Sequence, residues 1–311
     1  MTLVCFVAVK QNQNRPKPTE GKLRSLLSLN QVAYQDLFKV FDPLISKKIS
    51  LYTLKGQMRL FPEAEESVRS SLYGSNCKLD FILMYLKENP NQSYHGLLYG
   101  MSQSKVSEWV DYLLPVLVES LLKMGVMPQM GYHYEQVNDD FDYLLVDVTE
   151  REVARDIDND NQKEFYSGKK KIHTLKNLAI TDQSGYIEFI SESYMGSIHD
   201  KTIWDQIEVD LKGHNLIADL GFVGMEKDCP NAILPFKKPK GGQLTALQRS
   251  INKAIGSARV TVEHAFCGVK RLKIIGEKIR LKSFQKRDLV FKIAVGLHNL
   301  RVSRKAIVNM T

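Results

Sequence analysis

The chain reads as an α/β protein, a mixed sheet flanked by helices, preceded by an all-α region. Three observations carry that reading. Two short apolar runs, residues 143–146 and 216–218, each lead into an aspartate, Asp147 and Asp219. Such runs suit core strands of an α/β sheet, whose ends collect functional groups. Between them, residues 172–181 and 186–191 flank Asp182-Gln183-Ser184-Gly185, the pattern of a β-hairpin. Helical periodicity, finally, dominates the chain before residue 123 and returns around Glu263.

The totals bound the partners. A chain of 311 residues has material for two domains. Its formal charge of +8 favours a polyanion. Cys5, Cys77, Cys229 and Cys267 lie far apart with no CxxC pair, so neither a zinc site nor a disulfide framework is indicated. The apolar opening, residues 3–9, is too short for a bilayer and has no basic stretch before it, and no other run is long enough. The expectation is a protein of a reducing cytoplasm without membrane contact. Residues 10–22 are polar with Pro16 and Pro18, so 1–22 reads as an extension and linker.

From residue 23 to 125 the expectation is helical. Val32, Leu37, Phe38 and Phe41 mark one helix, and residues 51–60 a further one. Within 78–123 the pattern sharpens. Leu79, Ile82, Leu83 and Leu86 form a stripe that stops near Asn89-Pro90. A short helix fits 92–99, and Gly100-Met101-Ser102 supplies a tight turn with Ser102 as N-cap. The next helix sets Val106, Trp109, Val110 and Leu113 on one side, against Gln103, Ser104, Lys105, Ser107 and Glu108 on the other. This is the plan of a helix-turn-helix whose second helix enters the major groove, and equally of a plain helical hairpin. The helix should break near Pro115 and close at Gly125.

Residues 139–300 read as the second domain, with 301–311 as a tail. After the Asp147 strand come an acidic loop at 156–160, the run Phe165-Tyr166-Ser167-Gly168-Lys169-Lys170-Lys171, and the hairpin. Gly196-Ser197-Ile198-His199-Asp200 leads into a short helix at 202–211, followed by the Asp219 strand and the helix with Glu263. Strand, hairpin, helix, strand and late helix is the order of an RNase H-like fold.

The residues point to chemistry on phosphodiesters. Attack on an anionic ester is eased when two divalent ions about 4 Å apart activate the incoming oxygen and stabilise the leaving one. Mg²⁺ takes a few carboxylates and leaves places for water and phosphate. Asp147, Asp219 and Glu263 could supply them. Glu263 follows an acid-free stretch from Asp228 that holds Lys237, Lys238, Lys240, Arg249, Lys253 and Arg259. Arg259, Glu263 and Lys270 share a helix face, although Arg259 and Glu263 alone also fit a surface i,i+4 ion pair. His199-Asp200 rivals Asp219 for the second acid, or Asp200 caps the following helix. The lysines at 169–171 suit phosphate contact or a solvated face.

The motifs together reach a family. Asp147-Val148-Thr149-Glu150-Arg151, the 166–174 run, Gly196-Ser197-Ile198-His199-Asp200, Ala218-Asp219-Leu220-Gly221-Phe222, Pro235-Phe236-Lys237-Lys238-Pro239 and Arg259-Val260-Thr261-Val262-Glu263-His264 stand in order, followed by Lys270-Arg271. The chain from about 75 to 300 closely resembles DDE-superfamily transposases of bacterial insertion sequences, the class related to Harbinger elements. The resemblance implies an RNase H-like catalytic domain with Asp147, Asp219 and Glu263 as catalytic, metal-holding triad. It implies two divalent ions, Mg²⁺ with Mn²⁺ as substitute. It implies double-stranded DNA as partner, both terminal inverted repeats and target, and at least a homodimer on the DNA of a bacterial nucleoid. Gln103, Ser104, Lys105, Ser107, Lys169, Lys170, Lys171, Arg259 and Lys270 become the expected DNA contacts, with His199 and Asp200 supporting the ligands. Arg259, Glu263 and Lys270 match the family's Arg-x3-Glu-x6-Lys signature. Gly256 stands where a Tyr is usual, and Val148 and Glu152 stand in the Gly and Pro places of Gly-Thr-Glu-Arg-Pro, departures expected to touch loop geometry and DNA contacts rather than metal ligands. A DNA-binding regulator that has lost cleavage, or a host endonuclease on the same fold, are the competing functions.

Overall fold

A computed structural model describes residues 20–62, 66, 70–135, 142–155, 158–210, 214–281 and 283–308. Most of the expected extension, residues 1–19, and residues 156 and 157 of the acidic loop lie outside the described residues. The chain forms two compact units. The first holds the residues up to Met127, Arg271–Ile274 and the chain from Leu289. The second holds Pro128–Lys270 and Ile275–Asp288.

The first unit is helical: α1 (Glu20–Leu27), α2 (Gln31–Leu51), α3 (Ser75–Glu88), α4 (Gln92–Tyr99) and α5 (Gln103–Lys123). Helix α1 starts inside the segment expected to be linker. Helix α2 is capped by Asn30, whose Oδ1 accepts from Ala33 N at 2.8 Å. Its buried stripe is Ala33, Tyr34, Leu37, Phe41 and Ile45, while Val32 is exposed. The helix expected at 51–60 is absent. Lys48 O accepts from Tyr52 N, and a bridge from Tyr52 to Met58 closes a turn there instead.

Helices α3, α4 and α5 follow the expected helix-turn-helix closely. Asn89 and Gly100 end α3 and α4 in left-handed conformation, and Ser102 Oγ accepts from Lys105 N at 3.3 Å to start α5. A side chain at Gly96 would meet Met101 O at 2.4 Å, so the tight turn needs glycine there as well. Phe81, Tyr85, His95 and Tyr99 pack ring on ring between α3 and α4. Helix α5 does not break at Pro115. Leu113, Leu114, Val116 and Leu117 are buried around it, and that packing outweighs the lost hydrogen bond.

The second unit contains β1 (Gln129–Gly131), β2 (His133–Glu135), β3 (Tyr143–Glu152), α6 (Asn159–Phe165), β4 (Tyr166–Ser167), β5 (Ile172–Thr181), β6 (Ile187–Ser191) and β7 (Tyr194–Met195). There follow α7 (Asp200–Trp204), β8 (Glu208–Asp210), β9 (Asn215–Ile217), β10 (Ala232–Ile233), α8 (Ala246–Lys270) and α9 (Lys273–Gly276). The last helix, α10 (Phe284–Val308), passes from this unit into the first. It continues past residue 301 to Val308, and its far half is anchored by Asn299 Nδ2 donating to Val126 O and Arg304 Nε to Asp36 Oδ2.

The main sheet runs β1-β6-β5-β3-β9-β10, with β4 and β7 added to β5. Strands β6, β5 and β3 pair antiparallel, while β9 lies parallel to β3 and β10 to β9. This mixed sheet with flanking helices is RNase H-like. Leu144, Val146, Leu178, Ile180, Phe189, Trp204, Leu216 and Phe222 form its core layer on one face. Each large apolar side chain so buried contributes about 1.5–3 kcal/mol.

Three expectations need correction here. Strand β3 does not stop at Asp147 but runs to Glu152, paired with β5 as far as Thr174. Val148 and Glu152, in the Gly and Pro places, are therefore strand residues and shape no loop. The helix expected at 202–211 ends at Trp204, because Ile207 turns into the core and residues 208–210 pair with β2. Asp200 is the first helical residue and caps nothing with its side chain; His199 occupies the cap position.

Candidate active site

Register brings the two aspartates together. Strand β9 pairs with β3 as Tyr143↔Asn215, Leu144↔Leu216 and Leu145↔Ile217, so Asp147 and Asp219 both lie two residues past the last pair. Side chains alternate along a strand, so Leu144 and Val146 enter the core layer while Asp147 faces the other side. Asp219 has left its strand. It caps a 3₁₀ turn, Leu220–Phe222, with Oδ1 accepting from Gly221 N at 2.7 Å. Asp147 Oδ1 likewise accepts from Val148 N at 2.8 Å.

One oxygen of each carboxylate is thus fixed by local backbone, and the other is turned to a common cation. Arg259 Nη2, from α8, lies 3.5 Å from Asp147 Oδ2 and 3.6 Å from Asp219 Oδ2. Arg259 Nε is buried with no hydrogen-bond partner among the described residues. Burial raises the Asp147 carboxyl to about 6. Arg259, the Val148 amide and Lys169 pull the other way, and Asp219 adds to the rise. A pair of acidic oxygens facing one positive group, with charge still under-compensated, fits a hard divalent cation.

Helix α8 starts with a reciprocal cap, Gln248 N donating to Thr245 Oγ1 and Thr245 N to Gln248 Oε1. Ile255, Val262, Ala265, Phe266 and Val269 bury one side of it. Glu263 follows Arg259 by one turn, but it is exposed and makes no hydrogen bond or ion pair among the described residues. Nor do the described residues bring any three of His, Cys, Asp and Glu close enough for one ion. Two of the three expected carboxylates are assembled; the third shares the helix that carries their counter-charge.

The remaining expected residues are spread around this pair. Lys169, Lys170 and Lys171 are exposed in the β4–β5 turn, which Ser167 ties by accepting Lys170 N at its Oγ and Lys171 N at its carbonyl. Lys270 is half-buried, and burial followed by the field of Lys170 lowers its pKa. Arg259, also expected at DNA, stands within 3.6 Å of both carboxylates. Asp200 Oδ1 pairs with Lys176 Nζ at 3.0 Å, and Lys176 also donates to Ile198 O at 2.7 Å. A side chain on Gly221 would meet Asp219 Oδ1 at 2.8 Å and Asp200 Oδ2 at 3.2 Å, so Asp200 stands against the Asp219 turn. His199 is exposed. In the first unit Gln103, Ser104 and Lys105 are exposed on the opening turn of α5, and Ser107 is half-buried.

Sequence reasoning assigned no role to Lys176 or Arg151. Arg151 is buried, donating to Asn177 Oδ1 at 2.7 Å and Arg287 O at 3.2 Å, with Asp288 3.6 Å away. It ties the sheet to the start of α10. A cation in the middle of an alternating strand is the signal that could have marked it.

Two family models match the chain. Residues 146–299 match the family described as "DDE superfamily endonuclease", and residues 78–123 match "Helix-turn-helix of DDE superfamily endonuclease". A relative named "Probable transposase for insertion sequence element IS702", from Microchaete diplosiphon, is 27% identical over 237 residues, 72% of this chain and 80% of its own. No solved structure matches. An RNase H-like sheet with facing carboxylates, joined to a helix-turn-helix, defines a class of DNA-acting proteins. The chain belongs to the DDE superfamily of insertion-sequence transposases.

Proposed function

We propose that the protein binds the terminal inverted repeats of its insertion sequence and cuts and joins DNA there, with Asp147, Asp219 and Glu263 as the acidic set. The two Oδ2 atoms within 3.6 Å of a single guanidinium nitrogen carry this reading. Two divalent ions, Mg²⁺ or Mn²⁺ in its place, would be held by these carboxylates and would supply charge neutralisation and an activated oxygen nucleophile. The protein's own part is positioning. Val148 N and Gly221 N fix one oxygen of each aspartate, and Arg259 balances their charge. Lys169, Lys170, Lys171 and Lys270 are placed to contact phosphates, and Asp200 braces the Asp219 turn. Hydrolysis would leave a 3′-hydroxyl at the element's end, and that hydroxyl would then displace a 3′-oxygen in target DNA without a covalent protein intermediate. Joining two ends implies at least a dimer on DNA, working at the bacterial nucleoid.

The outward place of Glu263 favours one second reading, a DNA-binding regulator without cleavage. Incubation of the full chain with a labelled duplex carrying the element's end, with Mg²⁺ or with EDTA, separates the two. Nicking that needs the metal supports the enzyme; end-specific binding without nicking under any divalent ion supports the regulator.

A further inference from the structure

Between Asp228 and Glu263 the chain carries six cations and no acid, and only Arg259 of the six meets the carboxylates. Lys237, Lys238, Lys240, Arg249 and Lys253 are all exposed, and none forms an ion pair among the described residues. Exposed cations usually acquire partners where acids are near, so five in one stretch leave a strong positive field.

The segment that presents them is built. Residues 235–242 have no regular structure and little apolar burial, yet their backbone is fastened at both ends. Asn252 of α8 accepts from Phe236 N at 2.8 Å and donates to Phe236 O at 2.9 Å. Gly242 N donates to Pro239 O at 3.1 Å, and Gly241 takes φ +76 to make the turn. The Thr245–Gln248 cap then starts α8 at once. At 100° per residue, Asn252, Arg259 and Glu263 fall within about 40° of one another on α8. Arg249 and Lys253 lie together to one side of that face, about 60° and 100° from Asn252. Asn252 precedes Arg259 by about 10 Å of helix, close to three base pairs at 3.4 Å each. Phe236, 43% exposed, and Leu247, 70% exposed, add apolar contact among the charges.

We infer that the 235–240 strap, clamped by Asn252 and extended by Arg249 and Lys253, is a backbone-binding rail for duplex DNA leading to the Asp147–Asp219 pair. It is a phosphate site separate from the helix-turn-helix, and it reads no sequence. The inference rests on the reading of the carboxylate site as DNA-acting.

The test is the salt dependence of duplex binding by the full chain in EDTA, comparing wild type, Lys237→Gln/Lys238→Gln/Lys240→Gln and Asn252→Leu. Each lost phosphate contact flattens the slope of log K against log salt by about 0.9, so the triple variant should flatten by about 2.7. Between about 50 and 200 mM salt its affinity then falls roughly 40-fold less than that of wild type. Asn252→Leu should flatten the slope in the same direction, with the lysines still present and the melting temperature unchanged for both variants. An unchanged slope in the folded triple variant overturns the rail, as does equal binding of polyglutamate and duplex at the same salt. Metal-dependent nicking by wild type is followed in parallel. Flattening without any nicking leaves the rail and removes the cleavage reading; nicking with an unchanged slope does the reverse.

Discussion

Asp147 is held in two minds by its surroundings. Burial favours the neutral acid, Arg259 and the Val148 amide favour the anion, and the balance lies at about 6. The ordinary value is 3.8, so the folded state binds the proton more tightly than the unfolded chain. The stabilisation is therefore complete below pH 3.8 and is lost as pH rises through 6. Replacing Asp147 by Asn should remove this dependence and raise metal-free stability at pH 7.5 by roughly 1–3 kcal/mol, with no gain at pH 4. Thermal melts in EDTA at the two pH values check it; a loss of stability at pH 7.5 would contradict it. Asp147 and Asp219 were legible because an acid ending an apolar run is rare in a sheet core. Arg259 was legible as a cation on the right face, but its carboxylate contact was not, since distance across strands has no sequence signature. Asp200 looked like a cap because it begins a helix, whereas Lys176, two strands away in sequence, claims its oxygen.

Elements were read well where local rules decide them. Helices α3, α4 and α5 have stripes, glycines and caps that agree with one another, and they fell where expected. Pro115 misled because burial on both sides overrode a local breaker. Residues 51–60 misled because a few apolar residues mimic a helical period when a bridge to Tyr52 is what holds them. The extension of β3 past Asp147 depends on β5, which lies more than twenty residues away. Helix α8 rests on its first turn more than its length suggests, since its buried side chains begin only at Ile255. Thr245→Ala should cost that end about 1 kcal/mol. Amide exchange in the first turn of α8 should then speed up roughly fivefold, with exchange near Val269 unchanged. Equal protection in both proteins would show that the cap does not hold the helix start.

At the scale of the molecule, the helix-turn-helix and the paired aspartates Asp147 and Asp219 belong to different compact units. Gln103→Ala with Lys105→Gln should therefore weaken preference for the element's end by about 1–3 kcal/mol for each lost base contact. Competition binding against an unrelated duplex measures this. Metal-dependent nicking of unrelated DNA should persist in that variant, and its loss would mean that the two units do not divide the work. No helix among the described residues is long and apolar enough to cross a membrane. The order of sheet and helices was legible because it follows the order of apolar runs. The route of α10 was not, because a 25-residue helix that serves two units looks from sequence like a domain end and a tail.

The most direct measurement of the central claim is Mg²⁺-dependent cleavage of a labelled end duplex by wild type, Asp219→Asn and Asp200→Asn. Both variants keep side-chain volume, and only one removes a carboxylate that faces Arg259 beside Asp147. The account predicts that Asp219→Asn abolishes nicking while Asp200→Asn largely retains it. Nicking that survives in Asp219→Asn and disappears in Asp200→Asn would contradict the account and move the second acidic position to the His199-Asp200 turn.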